Sequence, residues 1–125
     1  MKKILVIEDN REIRENTAEL LRLSNYTVIE AENGYMGFLM AKHQLPDLIL
    51  CDMMMPKTDG YEFLKLARKD KEICNIPIVY FSAGSPTPDL QQIMISLADG
   101  YLKKPFTEEE LLVTIERSLP GAAGC

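Results

Sequence analysis

The chain has 125 residues, which is room for one ordinary domain and not for two. Hydrophobic residues make up 46% and charged residues 26%, a balance that can fill a globular core, and no apolar run is long enough to span a bilayer. The net charge of −5, without any basic cluster, argues against nucleic acid as a direct ligand.

From the N-terminus, Met1-Lys2-Lys3 leads into Ile4–Ile7, an apolar run too short for a signal-peptide core and stopped by Glu8-Asp9. A cytoplasmic chain without membrane contact is expected. Ile4–Ile7 reads as a first strand. Asn10 then caps a helix whose Ile13, Thr17, Leu20, Leu21 and Ser24 share one face. Thr27–Ile29 is the second strand, and Asn33 caps a second helix bearing Phe38-Leu39 and, near its end, His43. That histidine, the only one, suits interaction with the helix dipole better than base catalysis. Leu48–Cys51 is the third strand, and Asp59 with Glu62 has capping-box spacing for a third helix. Ile78–Phe81 is the fourth strand, and a fourth helix is expected from Thr87-Pro88-Asp89. Tyr101–Leu102 is the fifth strand. Thr107 with Glu110 opens a fifth helix, on which Leu111, Leu112, Ile115 and Leu119 line one face. Residues 1–120 form the expected domain, and 121–125, rich in Gly and Ala, a frayed tail.

Strand and helix alternate five times, which implies a parallel sheet with helices on both faces and right-handed crossovers. The first, third and fourth strands are almost wholly apolar, as strands covered on both sides should be. The three cysteines have no metal-site spacing; Cys51 and Cys74 read as thiols in or near the core.

Ligands of such sheets bind beyond the carboxyl ends of the strands. There the chain places Glu8-Asp9, Asp52, Ser82 and Lys103-Lys104-Pro105, while the second strand offers only Glu30. Three convergent carboxylates repel and raise each other's pKa unless a cation lies among them. An all-oxygen set with few protein groups suits Mg²⁺, and no EF-hand spacing favours Ca²⁺. Met55 is expected to pack inward beside Pro56 while Met53 and Met54 line the rim of the site, since a soft-metal site would need Cys or His close by. A carboxylate can also attack phosphorus, with Lys104 supplying positive charge and Ser82 a hydroxyl donor.

These residues carry a resemblance. Ile4-Leu5-Val6-Ile7-Glu8-Asp9-Asn10, then Asp52-Met53-Met54-Met55-Pro56-Lys57-Thr58-Asp59-Gly60, then Phe81-Ser82-Ala83, then Tyr101-Leu102-Lys103-Lys104-Pro105-Phe106 is similar to a bacterial two-component response-regulator receiver domain of the chemotaxis-regulator kind, from Lys2 to about Leu119. The resemblance implies a flavodoxin-like (βα)5 fold, α/β and doubly wound, with strand order 2-1-3-4-5. It makes Asp52 the phosphoacceptor. Asp9 would bind Mg²⁺ directly and Glu8 through water, with Asp52 and the backbone carbonyl of Met54 completing the protein's share. Ser82 would hold a phosphoryl oxygen, Lys104 would pair with the phosphate, and Lys104-Pro105 would be cis. On phosphorylation Ser82 would move and Tyr101 turn inward, altering the surface of the fourth helix, fifth strand and fifth helix.

The implied function is a phosphorelay switch and not a turnover enzyme, although it promotes its own phosphorylation and dephosphorylation. Its implied partners are a histidine kinase or histidine-containing phosphotransfer protein, and a downstream protein or an effector domain. The fourth-helix face is a candidate for homodimerisation. Glu8 stands where Asp is frequent, and Ser82 where Thr is. Met54 and Gly84 stand at the two positions that influence hydrolysis, and neither holds a water, so a long-lived phosphoryl group is expected. Three other readings lack support. A flavin binder needs a Ser/Thr/Gly-rich loop where this chain has Glu8-Asp9-Asn10, and a two-aspartate phosphatase needs an Asp-x-Asp after a strand. A receiver reduced to an adaptor would have lost a phosphorylation residue.

Overall fold

Strands and helices alternate along the chain in a computed structural model that describes residues 2–53, 60–82 and 96–119. The elements are β1 (Lys3–Ile7), α1 (Arg11–Leu23), β2 (Thr27–Ala31), α2 (Gly34–Gln44), β3 (Leu48–Asp52), α3 (Gly60–Lys69), β4 (Ile78–Ser82), β5 (Gly100–Lys103) and α4 (Glu108–Ser118). The last of these is the fifth helix expected from the sequence. Of the expected fourth helix, Ser96 and Leu97 are helical, while its start at Thr87 lies outside the described residues, as do Asp59 and the tail.

The strands form one parallel sheet in the order β2-β1-β3-β4-β5. β1, β3 and β4 are central, and their apolar composition follows from cover on both faces. Successive side chains point to opposite faces. Leu5, Ile7, Ile49, Cys51, Ile78 and Tyr80 join Ala41 of α2 and Phe63, Leu64 and Ala67 of α3 in one core layer. Ile4, Val6, Leu48, Leu50, Val79 and Phe81 meet Ala18 and Leu21 of α1 and Leu111 and Ile115 of α4 in the other. The sheet is thus wound on both sides.

Helix starts follow the side-chain chemistry. Asn10 accepts from the Ile13 N–H at 3.0 Å and Asn33 from the Met36 N–H at 2.8 Å. Thr107 and Glu110 make both bonds of a capping box. The buried stripe of α1 centres on Thr17, Ala18 and Leu21, with Ile13 and Leu20 half-buried beside it. His43 lies with Lys42 in the last turn of α2. That helix stops at Leu45, which takes a left-handed φ of 47°, and Pro46 cannot continue it. β2 runs two residues beyond its apolar run because pairing with Val6 and Ile7 carries it through Glu30 and Ala31. Cys51 is buried, and its Sγ donates to the Asp52 carbonyl at 3.3 Å. Cys74, read as a second thiol, is instead disulfide-bonded.

Gly37 brings α2 down onto β1. A Cβ there would lie 2.3 Å from Ile7 Cδ1 and 2.8 Å from its Cγ1, and Ile7 is fully buried. Helix propensity favours Ala over Gly by about 1 kcal/mol, but overpacking costs about 1–3 kcal/mol. Gly37→Ala is therefore expected to lose about 1 kcal/mol, seen as a lower urea midpoint with unchanged slope.

Candidate metal and phosphoacceptor site

Parallel pairing lines up the strand ends. Ile7 lies opposite Cys51, so Glu8 leaves β1 beside Asp52 at the end of β3. Asp52 in turn lies opposite Phe81, and Ser82 opposite Lys103. The next residue, Lys104, donates its backbone N–H to the Ser82 carbonyl at 2.8 Å. The Lys104-Pro105 peptide is cis. Four strands, distant in sequence, thus deliver their polar ends to one rim.

Glu8, Asp9 and Asp52 each offer an oxygen within 4.8 Å of the others. Glu8 and Asp52 are buried and Asp9 is exposed. The Asp9 carboxyl is held above its ordinary value, first by a hydrogen bond with Glu8, then by burial and by the Glu8 charge. Glu8 is 1% exposed and is met by Lys104 Nζ at 2.7 Å. Its second oxygen accepts from the Asn10 N–H at 3.2 Å. The ammonium also sits 4.6 Å above the Phe81 ring, and Phe106 meets that ring edge-on at 6.2 Å. Arg14 Nη1 donates to the Glu8 carbonyl oxygen at 2.8 Å.

Ser82 is 2% exposed at the end of β4. Tyr101 is half-buried and packs on the core layer of α2 and α3. Lys103 is exposed. Met53, expected at the rim, is instead fully buried in the core layer with Phe63, Leu64 and Ala67, because it follows β3 directly into that layer, while Met54, Met55 and Gly84 lie outside the described residues. Sequence reasoning did not single out Phe81 or Arg14. Phe81 was readable as the strand residue before Ser82. Arg14 was not, because its contact needs the first turn of α1 folded back over β1.

The donor set fits Mg²⁺. All the donors are hard oxygens, two of the three carboxylates are buried, and the Lys104 ammonium on Glu8 does not by itself neutralise three charges. No helix among the described residues is long and apolar enough to cross a membrane.

The family model described as response regulator receiver domain matches residues 4–116. The chain is 35% identical over 119 residues to the DNA-binding dual master transcriptional regulator RpaA of Synechocystis sp., covering 95% of this chain and 49% of that protein. It thus spans about half the length of that relative. Vibrio cholerae chemotaxis protein CheY4 superposes with a TM-score of 0.87 at 31% identity, covering 94% of this chain and 98% of that one. The receiver domain of sensor histidine kinase PA1611 from Pseudomonas aeruginosa, with a magnesium ion coordinated in its active-site cleft, superposes with a TM-score of 0.86 at 28% identity, covering 95% and 98%.

Two outcomes follow from the crowded carboxylates. Removing the ammonium leaves Glu8 buried beside two acids. Lys104→Met is therefore expected to cost about 2 kcal/mol without metal, less than for a fully enclosed pair, and Glu8→Gln should restore most of it. Urea unfolding of the double-mutant cycle measures this. For Asp9, the carboxyl of the folded state is held above its ordinary value by Glu8 and by burial, so the folded state takes up the proton first. The group therefore opposes folding above its raised pKa, and this opposition fades as pH falls through that value. Asp9→Asn should raise the metal-free Tm at neutral pH by at most about 4 °C, and the gain should vanish in acid.

Proposed function

The chain belongs to the response-regulator receiver family, the phosphoacceptor element of two-component signalling, and from that premise we propose that Asp52 takes the phosphoryl group from a phosphohistidine donor. The observation that carries this reading is the gathering of Glu8, Asp9 and Asp52 within 4.8 Å, with Lys104 at the same rim. Receiver domains bind Mg²⁺ at such an acidic site, and a structural relative holds it in its cleft. Here Glu8, Asp9, Asp52 and the Met54 carbonyl would hold it. Bound there, it would offset the carboxylate charges and the charge on the phosphoryl oxygens.

The residues divide the work of transfer. An Asp52 oxygen attacks phosphorus as the phosphorus–nitrogen bond to the donor histidine breaks, and the electron pair of that bond leaves with the imidazole. Because Asp52 is buried at a strand end, its carboxylate is held in place and little water competes. Lys104, now on Glu8, supplies the positive charge that answers the incoming phosphoryl group. The Ser82 hydroxyl donates to a phosphoryl oxygen. The phosphoryl group adds charge and strong acceptors at this rim, and Ser82 and Tyr101 pass the change to the β5 and α4 surface.

The partner reading rests on the same geometry. A mostly apolar groove of about 500 Å³, running from Ile13 and Leu20 of α1 to Pro105 and Phe106, opens beside Lys104 and gives the phosphodonor a place to dock. A histidine kinase or a histidine-containing phosphotransfer protein would fill that role. The output is a downstream protein or an effector domain. The switch is stoichiometric, with residues 1–120 as its working unit, and the face bearing Leu97 would carry any self-association.

Incubation with acetyl phosphate and MgCl2, followed by intact mass, tests the acceptor. The parent chain should gain one phosphoryl group, and Asp52→Asn should gain none. Chelation of the metal should slow the parent at least tenfold. An undiminished gain in Asp52→Asn would place the acceptor elsewhere.

A further inference from the structure

The Glu8–Asp9 peptide joins two of the carboxylates proposed to hold the cation, and its plane sets where both side chains start. β1 ends at Ile7, so this peptide lies beyond the last strand position. The Glu8 N–H still donates to the Ala31 carbonyl at 3.0 Å, the last rung to β2. The Glu8 carbonyl, part-buried, has its partner from another source: Arg14 Nη1, at 2.8 Å. The Arg14 side chain is itself only 15% exposed and is held from behind. Its Nε lies 3.5 Å from Glu30, and Glu30 also takes Arg22 Nη2 at 3.2 Å. Arg22 Nη2 further donates to the Val28 carbonyl at 3.1 Å. A line of charged contacts therefore runs from β2 through Glu30 and Arg14 to the backbone between two ligands.

We infer that Arg14 is a positioning residue for the divalent cation, locking the Glu8–Asp9 peptide so that both carboxylates face Asp52. The inference rests on the proposed metal site. Its physical content is a sign. Arg14 is a cation beside an anionic site, so through charge alone its removal would favour Mg²⁺. If its role is to fix the peptide, removal instead leaves a part-buried carbonyl without its donor, frees the peptide to rotate, and weakens Mg²⁺. Residues behind a metal ligand typically change affinity by about 10–100-fold, which outweighs a screened charge at a partly exposed site.

Amide chemical-shift titrations with MgCl2 on the full chain, without phosphodonor and well below each Tm, decide between these. Arg14→Met is expected to weaken Mg²⁺ about tenfold. Arg14→Lys, which can still donate to one carbonyl, should recover part of the loss. Arg22→Met removes the same charge without touching the Glu8 peptide and should stay within about twofold of the parent. If Arg14→Met does not fold, Arg14→Gln, too short to reach the carbonyl, takes its place with the same expected direction. Mg²⁺ binding as tight as in the parent, or tighter, in these Arg14 variants would overturn the positioning role while leaving the metal site standing. A parent chain that shows no Mg²⁺-dependent shifts, or an Asp9→Asn chain that binds as the parent does, would instead remove the metal site, and this inference with it.

Discussion

Three carboxylates at the rim of one parallel sheet repel one another, and the surrounding structure is arranged around that repulsion. Like charges a few ångströms apart in a partly buried place oppose folding unless something answers them. Here the Lys104 ammonium does so in part, directed to Glu8. The carboxylate set suits a small divalent ion.

The sheet converts this local tension into a defined place. Parallel strands all end their carboxyl sides at one edge, so residues far apart in sequence, such as Glu8 and Lys104, meet without a dedicated loop. The register fixes which residues are neighbours, with Asp52 opposite Phe81 and Ser82 opposite Lys103. Phe81 then serves two layers at once. It fills the core beneath α1 and α4, and its ring lies under the Lys104 ammonium. Aromatic packing and charge placement are thus coupled at one side chain.

Beyond the ligands, the network through Arg14, Glu30 and Arg22 connects the edge strand to the turn between β1 and α1. Such contacts cost side-chain entropy and add little stability at exposed positions. Arg14 is largely buried, and its acceptor is the Glu8 carbonyl, just beyond the end of β1. The arrangement therefore acts on the orientation of a peptide more than on the stability of the fold.

Much of this was legible in the order of residues. Apolar runs such as Leu48–Cys51 and the caps at Asn10, Asn33 and Thr107 act over a few positions, so local chemistry alone marks strands and helix starts. The alternation then implies the sheet, and the strand ends mark Glu8, Asp9, Asp52, Ser82 and Lys104 as neighbours. The thiol reading of Cys74 failed because a disulfide depends on which chain segments meet. The extent of β2 was missed for a related reason, since pairing with β1 carries the polar Glu30 into a strand. Element types and the membership of the rim can be read from the chain, because they follow from side-chain period and strand direction. That Lys104 pairs with Glu8, that Phe81 lies beneath it, and that Arg14 reaches the Glu8 carbonyl emerges with folding. Each of those contacts depends on distances between separate elements, which the packing of α1 and β5 against the sheet sets.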